Sequence, residues 1–452
     1  MKQTIYLAAL FLIIFLFSSV NHSSAEDTKK EINRVENIES RLLKKVFLSD
    51  LLNYALLTNP SIILSKESWK MAIESFKIGK SHPNPQLMTT YFPAPIETRL
   101  GPQDWNMTLS QTIPFPGKLT QHGNVLEKDE KISKLKLDKT INNIVLSISD
   151  SFYELIYIQN AIRIAKINFN LNQELLKIGV NSYADDKALF YDVAKAQAQT
   201  AQIQYDILLL DELELTQKVR INTLLNRMPD ADLGMAQSLA FRQVVYELGE
   251  IYQLSLNNQE DILIADEKIK KADEVIKLSK FENLPSFKLG LFYAAIGDPD
   301  VPKPPTDAGD DAIGIQFGLT LPLWFAKNKS RNLKAIAGRQ KAKAEKIAIT
   351  NKTNAKISRL WFKLQNSKRL IALYKDNLIP QSLKAVQTAE TWYRESEGSF
   401  SDFLEIQATA YNFQLSLERA KADYGKTLLK LEKLAGVILD RKADEIKGEK
   451  KS

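Results

Sequence analysis

Few residues in this chain could do covalent or metal chemistry, and their spacing argues against it. The 452 residues include no cysteine, which excludes disulfides, thiol catalysis, Cys-zinc sites and a lipid-modified N-terminal cysteine. His22, His82 and His122 lie far apart, the six methionines are scattered, and no nucleophile motif or phosphate-binding loop is present. Neither a metal, a cofactor nor an enzymatic reaction is expected. What remains is a set of carboxylates in matching contexts. Asp192 follows Tyr183 and Phe190 and precedes Gln197 and Ala198; Asp402 follows Tyr393 and Phe400 and precedes Gln407 and Ala408, in register without a gap. Glu405 comes three residues after Asp402. Acids that converge on one place attract cations; otherwise such residues are solvated charges on an outward helix face.

These contexts belong to a longer repeat. Residues 48–227 read as a helical stretch, a strand pair, a very long helix, a turn and a return helix, and residues 244–436 read in the same order. Pro85 matches Pro285, and Thr112-Ile113-Pro114 matches Thr320-Leu321-Pro322. A period of roughly 200 residues is too long for a solenoid unit, so the chain reads as a duplicated domain half.

Composition narrows the class. Apolar residues make up 44% and charged residues 25%, with a net charge of +7, and the mean hydropathy is −0.23. Acidic and basic residues are interspersed, with no Lys/Arg stripe interleaved with aromatics to suggest nucleic-acid binding. Lys2, the apolar run Ile5 to Phe17 and the small residues Ser23-Ser24-Ala25 read as a signal peptide over 1–25, too short in its apolar part to span a membrane; an uncleaved anchor is the alternative. Residues 26–46 form a charged segment expected to be mobile, and 437–452 a charged tail.

From Phe47 a helical pattern begins, with Ser49 as its expected N-cap, and Asn59-Pro60 opens a second helix ending near Gly79. The period then falls to two. Trp105, Met107, Leu109 and Ile113 alternate with polar residues, Phe287, Leu289, Leu291 and Tyr293 with Lys288, Gly290, Phe292 and Ala294, and Ile313, Ile315, Phe317, Leu319 and Leu321 with small or polar ones. The strand regions fall at about 85–115 and 285–323. Runs of this length and pattern suit tilted transmembrane barrel strands, and equally a soluble sheet with one wet face. Tyr91, Phe92, Trp105 and Tyr293 would mark one end, and Phe115, Phe287, Trp324 and Phe325 the other, like two aromatic girdles.

Helical hairpins are expected over about 118–227 and 327–436. The first long helix runs from Pro116-Gly117 to about Gly179 and the second from about Lys327 to Tyr393. Helices of about 60 residues must pack laterally as coiled coils. Four strands cannot close a membrane barrel, and open edges are forbidden in lipid. Three chains would pool about twelve strands, within the known barrel range. The expected fold is an α+β membrane protein: a trimeric twelve-stranded β-barrel continuous with a helical coiled-coil barrel.

In combination these features resemble the TolC family of outer-membrane efflux proteins across nearly the whole mature chain. The resemblance is carried by Asn59-Pro60, by Leu109-Ser110-Gln111-Thr112-Ile113-Pro114-Phe115-Pro116-Gly117-Lys118, by Thr320-Leu321-Pro322-Leu323-Trp324, by the stretch Tyr393 to Gln407 and by the ending Leu431 to Gly436. The Ile-Pro-Phe-Pro-Gly-Lys string is most similar to the branch serving heavy-metal and related RND pumps. The resemblance implies a passive duct in a Gram-negative outer membrane, with its helices in the periplasm, docked by a periplasmic adaptor and an inner-membrane pump of RND type; the lack of cysteine adds the expectation that it is not lipidated.

It also implies site residues. Asp402 and Glu405 fall where the family places carboxylates around the pore constriction, and Asp192 where it often places a bond that holds the tip shut. Ala188, Leu189, Ser399 and Phe400 become candidates for adaptor contact, although Phe190 and Phe400 are also expected to pack inside the hairpins. The family prototype has an arginine where this chain has Gly398 and a glycine where it has Ser396, so Arg394 is the alternative source of an arginine lock. The competing readings are a periplasmic adaptor, which would carry one hairpin flanked by soluble strand-rich domains, and a structural coiled-coil protein, which leaves the strands unexplained.

Overall fold

The computed structural model of the chain describes residues 34–186, 189–395 and 399–441. The expected signal peptide, the first part of the charged N-terminal segment, the last eleven residues, Ala188 and the stretch 396–398 lie outside the described residues.

A helix over 34–42 (α1) leads to β1 (Lys45–Val46), α2 (Leu48–Thr58), α3 (Pro60–Lys80), β2 (Gln86–Tyr91), β3 (Gln103–Ile113), α4 (Lys118–Ala184) and α5 (Phe190–Leu224). After β4 (Met235–Ala236) come α6 (Leu248–Asn258), α7 (Glu260–Phe281), β5 (Ser286–Ile296), β6 (Ala312–Thr320), α8 (Phe325–Ala372), a π-helical turn (Leu373–Leu378), α9 (Ile379–Arg394) and α10 (Phe400–Ala435). From α2 onward the order of two short helices, two strands, a long helix and a return helix therefore occurs twice. The break between α2 and α3 follows from sequence: Pro60 suits the first position of a helix and pushes Asn59 into extended backbone. Gln259 breaks α6 from α7 at the corresponding place and caps α7 by accepting from the Ile262 N–H at 2.8 Å. Ser49 is not the N-cap of α2; Phe47 holds that position without a side-chain cap bond, and Ser49 lies inside the first turn.

Two compact units divide the chain. The first comprises, among the described residues, 34–60, Asn143–Gln243 and Phe362–Lys430. Its core joins α1, α2, the middle of α4 and the end of α5 through Leu42, Leu51, Phe152, Leu155, Ile221 and Leu225, all fully buried. The segment expected to be mobile is thus ordered from residue 34, because Ile38, Leu42 and Val46 place apolar side chains in this core. β1 and β4 pair in parallel beside it. Further along, Ile164, Ala165 and Tyr411 form one cluster, and Leu175, Ala196, Phe400, Phe403 and Leu404 another. Small residues such as Ala196, fully buried, let the helices approach.

Charged links brace the same helices. Arg419 grips Glu154 with both terminal guanidinium nitrogens, at 2.9 and 3.0 Å, Lys426 also pairs with Glu154, and Lys430 pairs with Asp150 at 2.6 Å. Burial pushes the Lys426 ammonium below its ordinary value despite nearby Asp150.

The second unit comprises, among the described residues, Ser61–Asn142, Val244–Trp361 and 431–441. Its α7 is laced to α4 by Asp129–Lys271 at 2.7 Å and Lys139–Asp261 at 2.5 Å. On its other side it is laced to α8 by Lys268–Glu345, Asp266–Lys346 and Asp273–Arg339, at 2.5 to 2.6 Å. Half-exposed pairs contribute less than about 1 kcal/mol each, so their main effect is to set the helix register.

This unit also holds an antiparallel four-stranded sheet in the order β2-β3-β5-β6. Its register aligns one apolar row across the strands: Leu87 opposite Leu109, Leu109 opposite Leu291, and Leu291 opposite Ile315. The next rows on this face include Met107 opposite Tyr293 and Tyr293 opposite Ile313, then Leu289 opposite Phe317 and Phe287 opposite Leu319. The other face carries Asn106, Thr108, Ser110, Lys288, Gly290, Gly314, Gln316 and Gly318, with Met88 and Phe292 as large apolar exceptions opposite Thr108. At one end the rings of Trp105 and Tyr293 lie 5.2 Å apart; at the other, Phe287 lies 6.5 Å from Phe115 and 6.3 Å from Phe317. The apolar face is uncovered: Ile313, Ile315 and Phe317 are 80%, 83% and 68% exposed. Among the described residues no helix is long and apolar enough to cross a membrane.

Candidate functional site

The candidate site residues gather at the two helix turns of the first unit. α4 ends at Ala184, and Asp186 turns the chain with a φ of 56°, a left-handed conformation that aspartate tolerates better than most side chains. Leu189 then caps α5. The second turn joins Arg394 at the end of α9 to Phe400 at the start of α10.

Asp192 and Asp402 each stand in the first turn of a helix, where a carboxylate complements the partial positive charge of the helix N-terminus. That local role accounts for an acid at both matched positions without further assumption. Their surroundings then differ. Asp402 and Glu405 are exposed and share one face of α10. Both line a groove of about 820 Å³ between α9 and α10, together with Ala385, Trp392, Ile406 and Phe413. None of its described lining residues is basic. Asp192 is half-buried on α5 and does not line that groove.

Of the tip candidates, Leu189 and Ser399 are exposed. Phe400 is 2% exposed and packs with Phe403, Leu404 and the Tyr393 ring. It is therefore a packing residue of the hairpin, and the adaptor-contact expectation for it is corrected: no partner can reach a side chain enclosed by four helices. Phe190 behaves in the opposite way and is 67% exposed, touching Tyr183 at a ring distance of 5.9 Å. The equal positions of the two phenylalanines in the sequence do not give them equal environments. Arg394 is held by Glu390 on its own helix, at 2.7 and 3.1 Å, and makes no bond to Asp192 among the described residues.

The links between the two hairpins run through other residues. Lys195 on α5 donates to Ser401 Oγ on α10 at 2.5 Å, and Tyr393 on α9 donates to Ser182 on α4 at 3.1 Å. Deeper, Gln407 donates to buried Asn168 at 3.3 Å. The repeat alignment singled out Tyr393 and Gln407 but not Ser182, Lys195 or Ser401. Small hydroxyls carry no periodic signal, and only their cross-helix partners reveal them. Tyr411 sits below this layer with its hydroxyl buried and unbonded among the described residues, and burial, with Asp206 and Tyr157 nearby, pushes it up to about 12. No group of three acids, histidines or cysteines that could hold a metal ion occurs among the described residues.

No protein-family model matches the chain, and no curated protein matches its sequence. Solved structures do match. The outer membrane protein VceC from Vibrio cholerae superposes with a TM-score of 0.70 at 17% identity, over 86% of this chain and 96% of that one. CusC, whose structures concern folding and transmembrane channel formation, gives 0.74 at 13% identity over 86% and 92%. The open state of the Neisseria gonorrhoeae MtrE outer membrane channel gives 0.67 at 14% identity over 87% and 90%. At these identities the likeness is one of fold, and it extends over most of both chains.

Proposed function

We propose that this chain is the outer-membrane channel subunit of a tripartite efflux or secretion system. The observation that carries the reading is the uncovered apolar face of the β2-β3-β5-β6 sheet, with its polar and glycine-rich opposite face. A soluble sheet buries its apolar face; a barrel strand turns it to lipid and keeps water on the other side. The edges β2 and β6 lack partners within the sheet, and lipid does not tolerate open edges. Three chains, each placing its β2 beside a neighbour's β6, close a twelve-stranded barrel.

On this reading the two passes of the element order are copies of one unit. The strands lie in a Gram-negative outer membrane and the hairpins in the periplasm, without a lipid anchor. The subunit is passive: an inner-membrane pump, expected to be of RND type, supplies energy, and a periplasmic adaptor docks at tips that include Leu189, Ser399 and Ala188. Three copies of Asp402 and Glu405 form the pore constriction and select for cations, with Asp192 as part of the same closure. The test is electrophoresis of outer-membrane fractions. Heat-modifiable migration as an SDS-resistant trimer is expected; a soluble periplasmic monomer would end the proposal.

A further inference from the structure

A second groove in the first unit has a different chemical character. It has a volume of about 880 Å³ and an apolar floor that includes Ile156, Ile371, Leu417 and Leu428. Tyr157 and Phe241 add ring faces. Basic side chains reach it from every wall: Arg163 from α4, Arg242 from the segment 238–243, Lys368 from α8, Lys375 from the π-helical turn and Lys421 from α10. Among its described lining residues only two are acids, Asp376 and Glu418. Glu418 is already engaged by Asn160 at 2.9 Å and by Lys421 at 2.7 Å. Arg163, Lys368 and Lys375 are exposed and, among the described residues, form no salt bridge.

Two features hold this arrangement in place. Phe241 stacks on Tyr424 at 4.6 Å, and the Tyr424 hydroxyl donates to the Arg242 carbonyl at 2.8 Å, so the crossing segment is pinned at the groove. The π turn supplies the rest. Pro380 has no N–H and would press on the carbonyl four residues back in a regular helix; the preceding turn widens, and the Ile379 N–H bonds to Tyr374 O, five residues back. That wide turn carries Lys375 and Asp376 at the groove edge. Single π turns within helices occur frequently at functional sites.

We propose that this groove binds an organic phosphate: a dianionic headgroup among the cations, with a ring or alkyl chain on the apolar floor. An excess of unneutralised cations beside buried apolar surface is complementary to an anion with an apolar body, and several separated cations favour a headgroup with more than one charge. The assignment does not depend on the channel reading.

The test uses full-length protein held in amphipol, titrated calorimetrically below any micellar concentration. Dodecyl phosphate stands for a lipid, phenyl phosphate for a soluble aryl phosphate, inorganic phosphate for the bare anion, and dodecyltrimethylammonium for apolar affinity alone. One organic phosphate is expected to bind at least tenfold more tightly than either control, and the tighter of the two identifies the source. Lys368→Gln with Lys375→Gln should weaken it at least tenfold, while circular dichroism reports an unchanged fold. Equal binding of the cationic amphiphile, equal binding of inorganic phosphate, or an unaffected double variant overturns the proposal. So does one further result: because the chain lacks cysteine, Ser238→Cys gives a single thiol, and its complete protection in the ligand-free assembled protein would mean that another copy covers the groove.

Discussion

Asp402 and Glu405 are the residues on which the proposed conduction depends. They share an exposed helix face beside a groove without basic lining. Three copies would therefore bring six carboxylates together with no compensating charge from that groove. Asp402→Ala with Glu405→Ala is expected to raise single-channel conductance in planar bilayers and to abolish cation preference; unchanged conductance and selectivity would remove these residues from the constriction. Tyr411 allows a stability prediction of opposite sign to most core changes. Its hydroxyl is buried without a partner among the described residues, and an unsatisfied buried hydroxyl costs about 1–3 kcal/mol. Tyr411→Phe should leave the thermal midpoint unchanged or raise it, and a clear fall would reveal a partner supplied in the assembly. At this scale the sequence was legible only in part. The matched Tyr393/Phe400 context located the turn, but Phe400 and Phe190 occupy equivalent positions with opposite exposure. Burial at a turn depends on which helices flank it, and single-sequence periodicity does not contain that.

The elements were more legible, because their signals are long. The strand pairs follow from period-two alternation and the hairpins from the length of the apolar stripe. Even so, the second long helix, expected to run unbroken to Tyr393, is interrupted at Leu373–Leu378; Pro380 was the visible signal for that interruption. α1 was missed because Ile38 and Leu42 are two apolar residues in a charged segment, and only the core they enter makes them decisive. Close packing between elements gives a direct test. A Cβ placed on Gly425 of α10 would lie 2.2 Å from the Tyr153 ring of α4. Gly425→Ala should destabilise by about 1–3 kcal/mol through overpacking, despite alanine's higher helix propensity. Chemical denaturation of the detergent-solubilised protein measures it, and Tyr153→Leu in the same chain should recover part of the loss. The two sheet faces give another. Ile315→Lys on the apolar face should cost about 2–4 kcal/mol at mid-bilayer depth and block membrane assembly, whereas Gln316→Lys, one residue along, should be tolerated. Equal behaviour of the two variants in outer-membrane fractions would contradict the assignment of faces.

For the whole molecule, the fold matches solved outer-membrane channels over most of its length although identity is only 13–17%. Few residue identities are needed to preserve such a fold, since it depends on periodicity, on Pro and Asn at element breaks and on small residues between helices. The uncovered sheet has a further consequence, for biogenesis. On the proposed barrel reading, each chain carries a greasy surface and two hydrogen-bonding strand edges through water until it meets its neighbours. Such a species can pair with any exposed strand it encounters, so maturation becomes a race between correct encounter and aggregation. Its yield should therefore rise with escorting chaperones and pass through an optimum as the rate of synthesis increases.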